Sequence, residues 1–175
     1  MKLTCLDLYS NTTTEQDLIH ISRLKNLKYL NVRYCDMDDK SVKYIGKLEN
    51  LTHLNVNENY ISDKGVKFIS ELKQLVELEI EDNPTISPQG VELICGMTQL
   101  THLNIGCNYL NFENTRELTK LKNLTSLDLN GNEIGNATYL SELSKLTYLN
   151  IGYSCMNNEN VAGKIFPLVF RGKFR

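Results

Sequence analysis

The sequence predicts an α/β repeat solenoid in which each turn supplies one short strand and one short helix. Three observations point there. Leucines restart one pattern at Leu3, Leu27, Leu51, Leu75, Leu100, Leu124 and Leu146, in steps of 24, 24, 24, 25, 24 and 22 residues. The first part of each unit alternates apolar and polar residues with the period of a half-buried strand. The second part repeats apolar residues three apart, as one face of a helix does.

The strand half follows the template L-x-x-L-x-L-x-x-N-x-L. Its clearest copies are Leu51, Leu54, Val56, Asn59, Ile61, then Leu100, Leu103, Ile105, Asn108, Leu110, and Leu124, Leu127, Leu129, Asn132, Ile134. The leucines of the Leu-x-Leu core point inward. The ninth position is Asn11, Asn59, Asn83, Asn108 or Asn132, with Cys35 and Ser154 in the other two copies. Stacked side amides there can hydrogen-bond the backbone where each chain leaves its strand, because buried backbone at a turn needs such partners.

The helix half carries Val42, Ile45, Leu48; Val66, Ile69, Leu72; and Val91, Ile94, Met97. A column of smaller residues (Ser22, Gly46, Ser70, Cys95, Thr119) suits close packing between stacked helices. Ser62 before Asp63 reads as an N-cap, and Ser87-Pro88 as a cap followed by proline in the first turn. Helices this short depend on stacking rather than intrinsic propensity. Two units break the rhythm. One gains a residue around Asn83-Pro84-Thr85, predicting a bulge after the strand, and one loses two residues between Ile134 and Ala137, predicting a tightened loop.

The repeat resembles the leucine-rich-repeat superfamily over residues 1–160, and Lys64–Ser70 is most similar to the helical repeats of the GALA and ribonuclease-inhibitor-like subtypes. The resemblance implies a curved horseshoe with a parallel sheet on the concave face and short helices on the convex face. It also implies protein recognition, as in F-box adaptors, bacterial effectors and regulators. The expected organisation is an array of about seven repeats over 1–160 and a C-terminal cap or tail over 161–175.

Composition narrows the function classes. The 175 residues contain no apolar run of membrane-spanning length, and Met1 leads straight into the repeat pattern rather than a secretory signal. A net charge of -2 argues against nucleic acid as a partner, and the basic tail Arg171-Gly172-Lys173-Phe174-Arg175 has too few charges to argue for nucleic acid or membrane. Five cysteines (Cys5, Cys35, Cys95, Cys107, Cys155) without a C-x-x-C pair suggest free thiols in a reducing compartment. The expected location is therefore the cytoplasm, including a host cytosol for a secreted effector. Leu3, Leu6 and Leu8 already belong to the first repeat with no polar cap before them. That open end suggests a piece of a longer protein, or a chain that is monomeric or self-associates through its solenoid ends.

On the concave sheet, residues between the inward leucines face solvent. The third position reads Cys5, Tyr29, His53, Glu77, His102, Ser126, Tyr148, and the fifth Asp7, Asn31, Asn55, Glu79, Asn104, Asp128, Asn150. The seventh reads Tyr9, Arg33, Asn57, Glu81, Gly106, Asn130, Gly152, and the eighth adds Tyr34, Glu58, Asp82 and Tyr153. An acidic centre flanked by tyrosines suits a protein partner with a basic feature. The candidate contact residues are Tyr29, Arg33, His53, Asn55, Asn57, Glu77, Glu79, Glu81, His102, Asn104, Asp128 and Tyr148.

Catalysis finds little support. His53, Glu77 and His102 are zinc-like ligand types on successive rungs, but the histidines stand two rung spacings apart, roughly 9–10 Å, so a metal-free hydrogen-bonded row is favoured. Cys107 near His102 lacks an orienting third group. No phosphate-binding loop, HExxH or GxSxG motif is present. The expectation is a non-enzymatic interaction scaffold without cofactor or metal. The alternative is a recognition or regulatory domain of an enzyme, such as a ubiquitin-ligase substrate receptor, with its catalytic part elsewhere.

Overall fold

The computed structural model describes residues 2–154. The strands are β1 (Cys5–Asp7), β2 (Tyr29–Asn31), β3 (His53–Asn55), β4 (Glu77–Glu79), β5 (His102–Asn104), β6 (Ser126–Asp128) and β7 (Tyr148–Asn150). They form one parallel sheet in sequence order, with Leu6, Leu30, Leu54, Leu78, Leu103, Leu127 and Leu149 in register. The helices are α1 (Glu15–Ile21), α2 (Asp39–Ile45), α3 (Asp63–Ser70), α4 (Pro88–Cys95) and α5 (Phe112–Glu117). Short 3-10 turns follow at Leu118–Lys120 and Ala137–Glu142. Sheet and helices enclose one continuous apolar core, the α/β horseshoe that the repeat predicts.

Each strand repeats the same division of labour. Leu27, Leu30 and Val32 are fully buried, as are their equivalents Leu51, Leu54 and Val56, while the residues between face out. At β1 the equivalents Leu3, Leu6 and Leu8 are only partly covered, because a single neighbouring rung packs on them.

The asparagine column forms as the sequence predicts from Asn59 onward, while Asn11 is exposed and its side chain donates to the carbonyls of Leu8 and Tyr9 in its own rung. Asn59 Oδ1 accepts from the amides of Cys35 (3.1 Å) and Met37 (2.9 Å), while its Nδ2 donates to the carbonyls of Val32, Val56 and Asn57. Asn83, Asn108 and Asn132 repeat the arrangement and are all buried. Where asparagine is missing, another donor takes over part of the task. The Cys35 thiol donates to the Leu8 carbonyl (3.1 Å), and the Ser154 hydroxyl to that of Leu129 (3.2 Å).

The convex helices are held by caps and by one another. Thr14 and Asn111 form capping boxes, and Asp38, Ser62 and Ser87 cap α2, α3 and α4. Ser22, Ser70 and Thr119 of the small-residue column each donate to the carbonyl three residues back, all at 2.8 Å, closing the last helical turn. A second ladder, not read from sequence, links the helix starts. Asp39 accepts from the Ser62 amide (2.8 Å), the Ser62 hydroxyl (2.6 Å) and the Gly65 amide (2.9 Å), and Asp63 does the same for Ser87. A Cβ on Gly90 would lie 2.4 Å from Asp63 Oδ1, so the ladder requires glycine there.

Both irregular units are absorbed locally. The extra residue is taken up at Pro84 and Thr85, and Asn83 keeps its place in the column, its amide donating to Asn108 Oδ1 (2.9 Å). The unit short of two residues replaces its α-helix with the 3-10 turn over Ala137–Glu142. A 3-10 helix rises about 2.0 Å per residue against 1.5 Å, so fewer residues span the distance. The expected cap or tail over 161–175, and Cys155, lie outside the described residues. Among the described residues no helix is long and apolar enough to cross a membrane.

Two substitutions test this framework. Leu54→Ala removes a buried side chain that packs on both flanking rungs and costs about 2–5 kcal/mol in urea unfolding; a loss well below 1 kcal/mol would place Leu54 outside the core. Asn59→Ala orphans the buried amides of Cys35 and Met37 and costs about 2–4 kcal/mol by the same assay. A neutral result there would show that the ladder is dispensable.

Candidate functional site

The sheet face carries a continuous polar network. On β4, the strand Glu77-Leu78-Glu79 buries its leucine and turns both carboxylates outward. Glu77 Oε1 lies between two imidazoles, 3.3 Å from His53 Nε2 and 3.5 Å from His102 Nδ1. Threonine hydroxyls orient both rings, Thr52 at 2.7 Å from His53 Nδ1 and Thr101 at 2.9 Å from His102 Nδ1. The Tyr29 ring packs at a tilt on His53, 6.4 Å between centroids.

The other carboxylates lean apart. Glu79 reaches toward β3, where Asn55 and Asn57 donate side amides to its Oε2 at 2.7 and 3.2 Å. Glu81 leans the opposite way, accepting from Asn104 (2.9 Å) and Asn130 (3.3 Å). Asn130 also donates to Asp128 Oδ1 (2.8 Å), and Asn150 to Asp128 Oδ2 (2.8 Å). Amides solvate these charges without neutralising them. Among the described residues no Lys or Arg makes an ion pair with Glu77, Glu79, Glu81 or Asp128.

The guanidinium of Arg33, the candidate cation of this face, is already engaged. It donates through Nε (2.8 Å) and Nη2 to Glu58 Oε1 and lies over the Tyr9 ring, 5.6 Å from its centroid. Asn57, a candidate contact by its column, is 2% exposed. Its side-chain Oδ1 accepts from the Glu81 amide (2.7 Å), so it positions the segment just after β4 rather than presenting itself to a partner. The remaining candidates stand together on the open face. Sequence reasoning missed Asn130 as the residue that ties Glu81 to Asp128; its place in the seventh column was visible, but its two partners were not.

Burial and charge tune several groups. Desolvation by the flanking rungs pushes the Glu79 carboxyl above its ordinary value, against the opposing pull of the Asn57 amide and Arg33. The Tyr29 phenol is likewise raised, chiefly by desolvation and then by Asp7 and Glu79. Cys107 is half-buried, and its thiol is raised by burial and the nearby Glu81 and Asp82 charges, which disfavours the nucleophilic thiolate. Cys95 is buried among helices and pushed up to about 12. Among the described residues no group of three His, Cys, Asp or Glu is placed to hold a metal ion. The face opens into a hollow of about 200 Å³ over β4–β7, small against the roughly 300–1,000 Å³ of ordinary small-molecule sites.

Comparison with known proteins places this architecture. The family model described as leucine-rich repeat region matches residues 2–169. The chain belongs to the leucine-rich-repeat family. Comparison with curated proteins finds no match. Among solved structures, internalin C2 of Listeria monocytogenes is similar at 24% identity and a TM-score of 0.76, over 93% of this chain and 67% of that one. The Listeria monocytogenes internalin InlF shares 22% identity at a TM-score of 0.58, over 94% of this chain and 59% of its own. The ectodomain of the Arabidopsis receptor kinase HAESA, solved with an extended IDA peptide hormone, shares 17% identity at a TM-score of 0.61, over 88% of this chain and 31% of its own. At these identities the likeness is one of fold, and this repeat array spans only part of each.

The raised Glu79 carboxyl makes a signed prediction. Its charged form is disfavoured by the fold, so the unfavourable contribution exists above its folded-state value and disappears as pH falls through it. Glu79→Gln keeps an acceptor for the asparagine amides and should be neutral to stabilising at pH 7, with the difference shrinking toward pH 4. Urea unfolding at both pH values checks this, and a variant destabilised at pH 7 but not at pH 4 would show that the charge is net favourable.

Proposed function

We propose that this chain is a protein-interaction scaffold that receives the basic feature of a partner protein on the concave sheet over β3–β6. The observation that carries the reading is the charge state of β4 and its neighbours. Glu77, Glu79, Glu81 and Asp128 share one face and, among the described residues, are solvated by amides and imidazoles rather than paired with Lys or Arg. Such a face keeps its field for an incoming cation, and complementary charge speeds and orients association.

Two further features support the reading. The tyrosines at the ends of the array, Tyr9, Tyr34, Tyr148 and Tyr153, are exposed and offer rigid amphipathic contact area. Inter-rung hydrogen bonds fix the polar side chains before any partner arrives, which lowers the ordering cost of binding. The HAESA ectodomain, a leucine-rich-repeat array solved with a peptide hormone, supports the reading. The free thiols Cys5, Cys35, Cys95 and Cys107 are consistent with an adaptor or effector working in a reducing compartment.

The test is affinity capture with the native chain and with Glu77→Lys/Glu79→Lys/Glu81→Lys, after circular dichroism shows the same fold for both. A protein retained by the native chain, lost with the charge-reversed one and released by raised salt is the expected outcome. Equal retention by both chains would move the binding surface to the convex helices and overturn the concave-face reading.

A further inference from the structure

The concave sheet is not evenly filled, and the uneven place has a specific shape. In the third-position column the in-register neighbours of Ser126 are His102 and Tyr148. The serine side chain is short, and together with both rings and the neighbouring β4 residues it lines a hollow of about 200 Å³. Two rung spacings, roughly 9–10 Å, separate the backbones of His102 and Tyr148, a width that admits one planar group between two rings. Glu77 and Glu79 line the hollow on one side and Asp128 on the other, with Asn104 between.

We propose that this hollow is the receptor for a single arginine side chain of the partner protein. The inference rests on the acidic-face reading above and names the group that face takes. Three properties of the hollow coincide with those of a guanidinium. Two exposed aromatic side chains, His102 and Tyr148, line it, and a guanidinium is a planar cation that stacks on aromatic rings. Its acceptors stand on both sides rather than at one point, matching donors that fan out from a planar fork. Its carboxylates carry charge that amides solvate, and among the described residues no Lys or Arg makes an ion pair with them.

Other occupants fit less well. A lysine ammonium is a compact, strongly hydrated charge that gains less from flanking rings than a planar guanidinium does. A small-molecule cofactor needs more volume than the hollow holds. A metal ion would need converging ligands, and among the described residues no group of three His, Cys, Asp or Glu is placed to hold one.

The probe is Nα-acetyl-arginine amide, titrated into the isotope-labelled native chain while the ring resonances of His102 and Tyr148 are followed by NMR. Nα-acetyl-lysine amide is the matched control. Arginine amide should shift both rings saturably and bind about fivefold or more tightly than lysine amide. Ser126→Leu fills the hollow while leaving every charge in place, and should weaken arginine amide about tenfold. Ser126→Ala keeps the hollow open and should bind as the native chain does, which separates filling from any disturbance of the rung. Equal binding of the two amides, or undiminished binding by Ser126→Leu, would overturn the arginine receptor while leaving the acidic face intact as a docking surface. No ring shift at all would overturn the receptor too, and the charge-reversal capture experiment decides separately whether the face binds anything basic.

Discussion

Each strand of this sheet is only three residues long, after which the chain must turn away with its amides and carbonyls still inside the protein. Every structural feature of the array depends on how those groups are paired. Strand pairing satisfies the strand itself, but the exit needs donors and acceptors that the backbone of the same rung cannot supply. A buried asparagine supplies both, accepting from amides of the preceding rung and donating to carbonyls of that rung and its own. Leaving such groups unpaired would cost about 1–3 kcal/mol each, a large fraction of the stability of a small domain. The column therefore fixes rung spacing, and rung spacing fixes everything displayed on the sheet.

Register is what turns that constraint into a site. Because Glu77, Glu79 and their neighbours stand in aligned columns, a carboxylate on one rung meets an imidazole or an amide on the next at hydrogen-bonding distance. Glu77, Glu79 and Glu81, facing the same way on one chain segment, would repel one another if left upright. They are drawn apart instead, Glu79 toward Asn55 and Asn57, Glu81 toward Asn104 and Asn130. The repulsion is reduced without cancelling the charge, which leaves the field of the face available to a ligand.

Much of the fold was legible because its determinants repeat. The leucine steps locate all seven strands, the ninth-position column locates the ladder, and Ser62 and Ser87-Pro88 locate two helix starts. What repeats less clearly was harder to read. The Asp39-to-Ser62 and Asp63-to-Ser87 links look in sequence like ordinary acidic first turns, and only the stacking of helices shows that each carboxylate reaches the next cap. Likewise the columns show which side chains face out, but each has two neighbouring rungs to lean on. Arg33 could have stood free beside Tyr29; it bends to Glu58 instead. Asn57 sits in an outward column and is nonetheless buried, because both its amide ends are used on β4 and the turn after it.

The same reasoning explains why the site is a face with one hollow rather than a cleft. Inward positions are constrained to Leu, Ile and Val by the core, so only outward positions are open to variation, and on a flat three-residue strand those are few. A deep pocket would require removing a rung or inserting a loop, and the one inserted residue, near Pro84, is absorbed beside the ladder and does not open the sheet. Depth on such a surface comes from side-chain size alone. A serine between a histidine and a tyrosine gives the depth of one ring, which suits recognition of single side chains far better than enclosure of a reacting substrate. On the proposed reading, specificity lies in which outward residues are short, and affinity in how many neighbouring rungs hold the tall ones still.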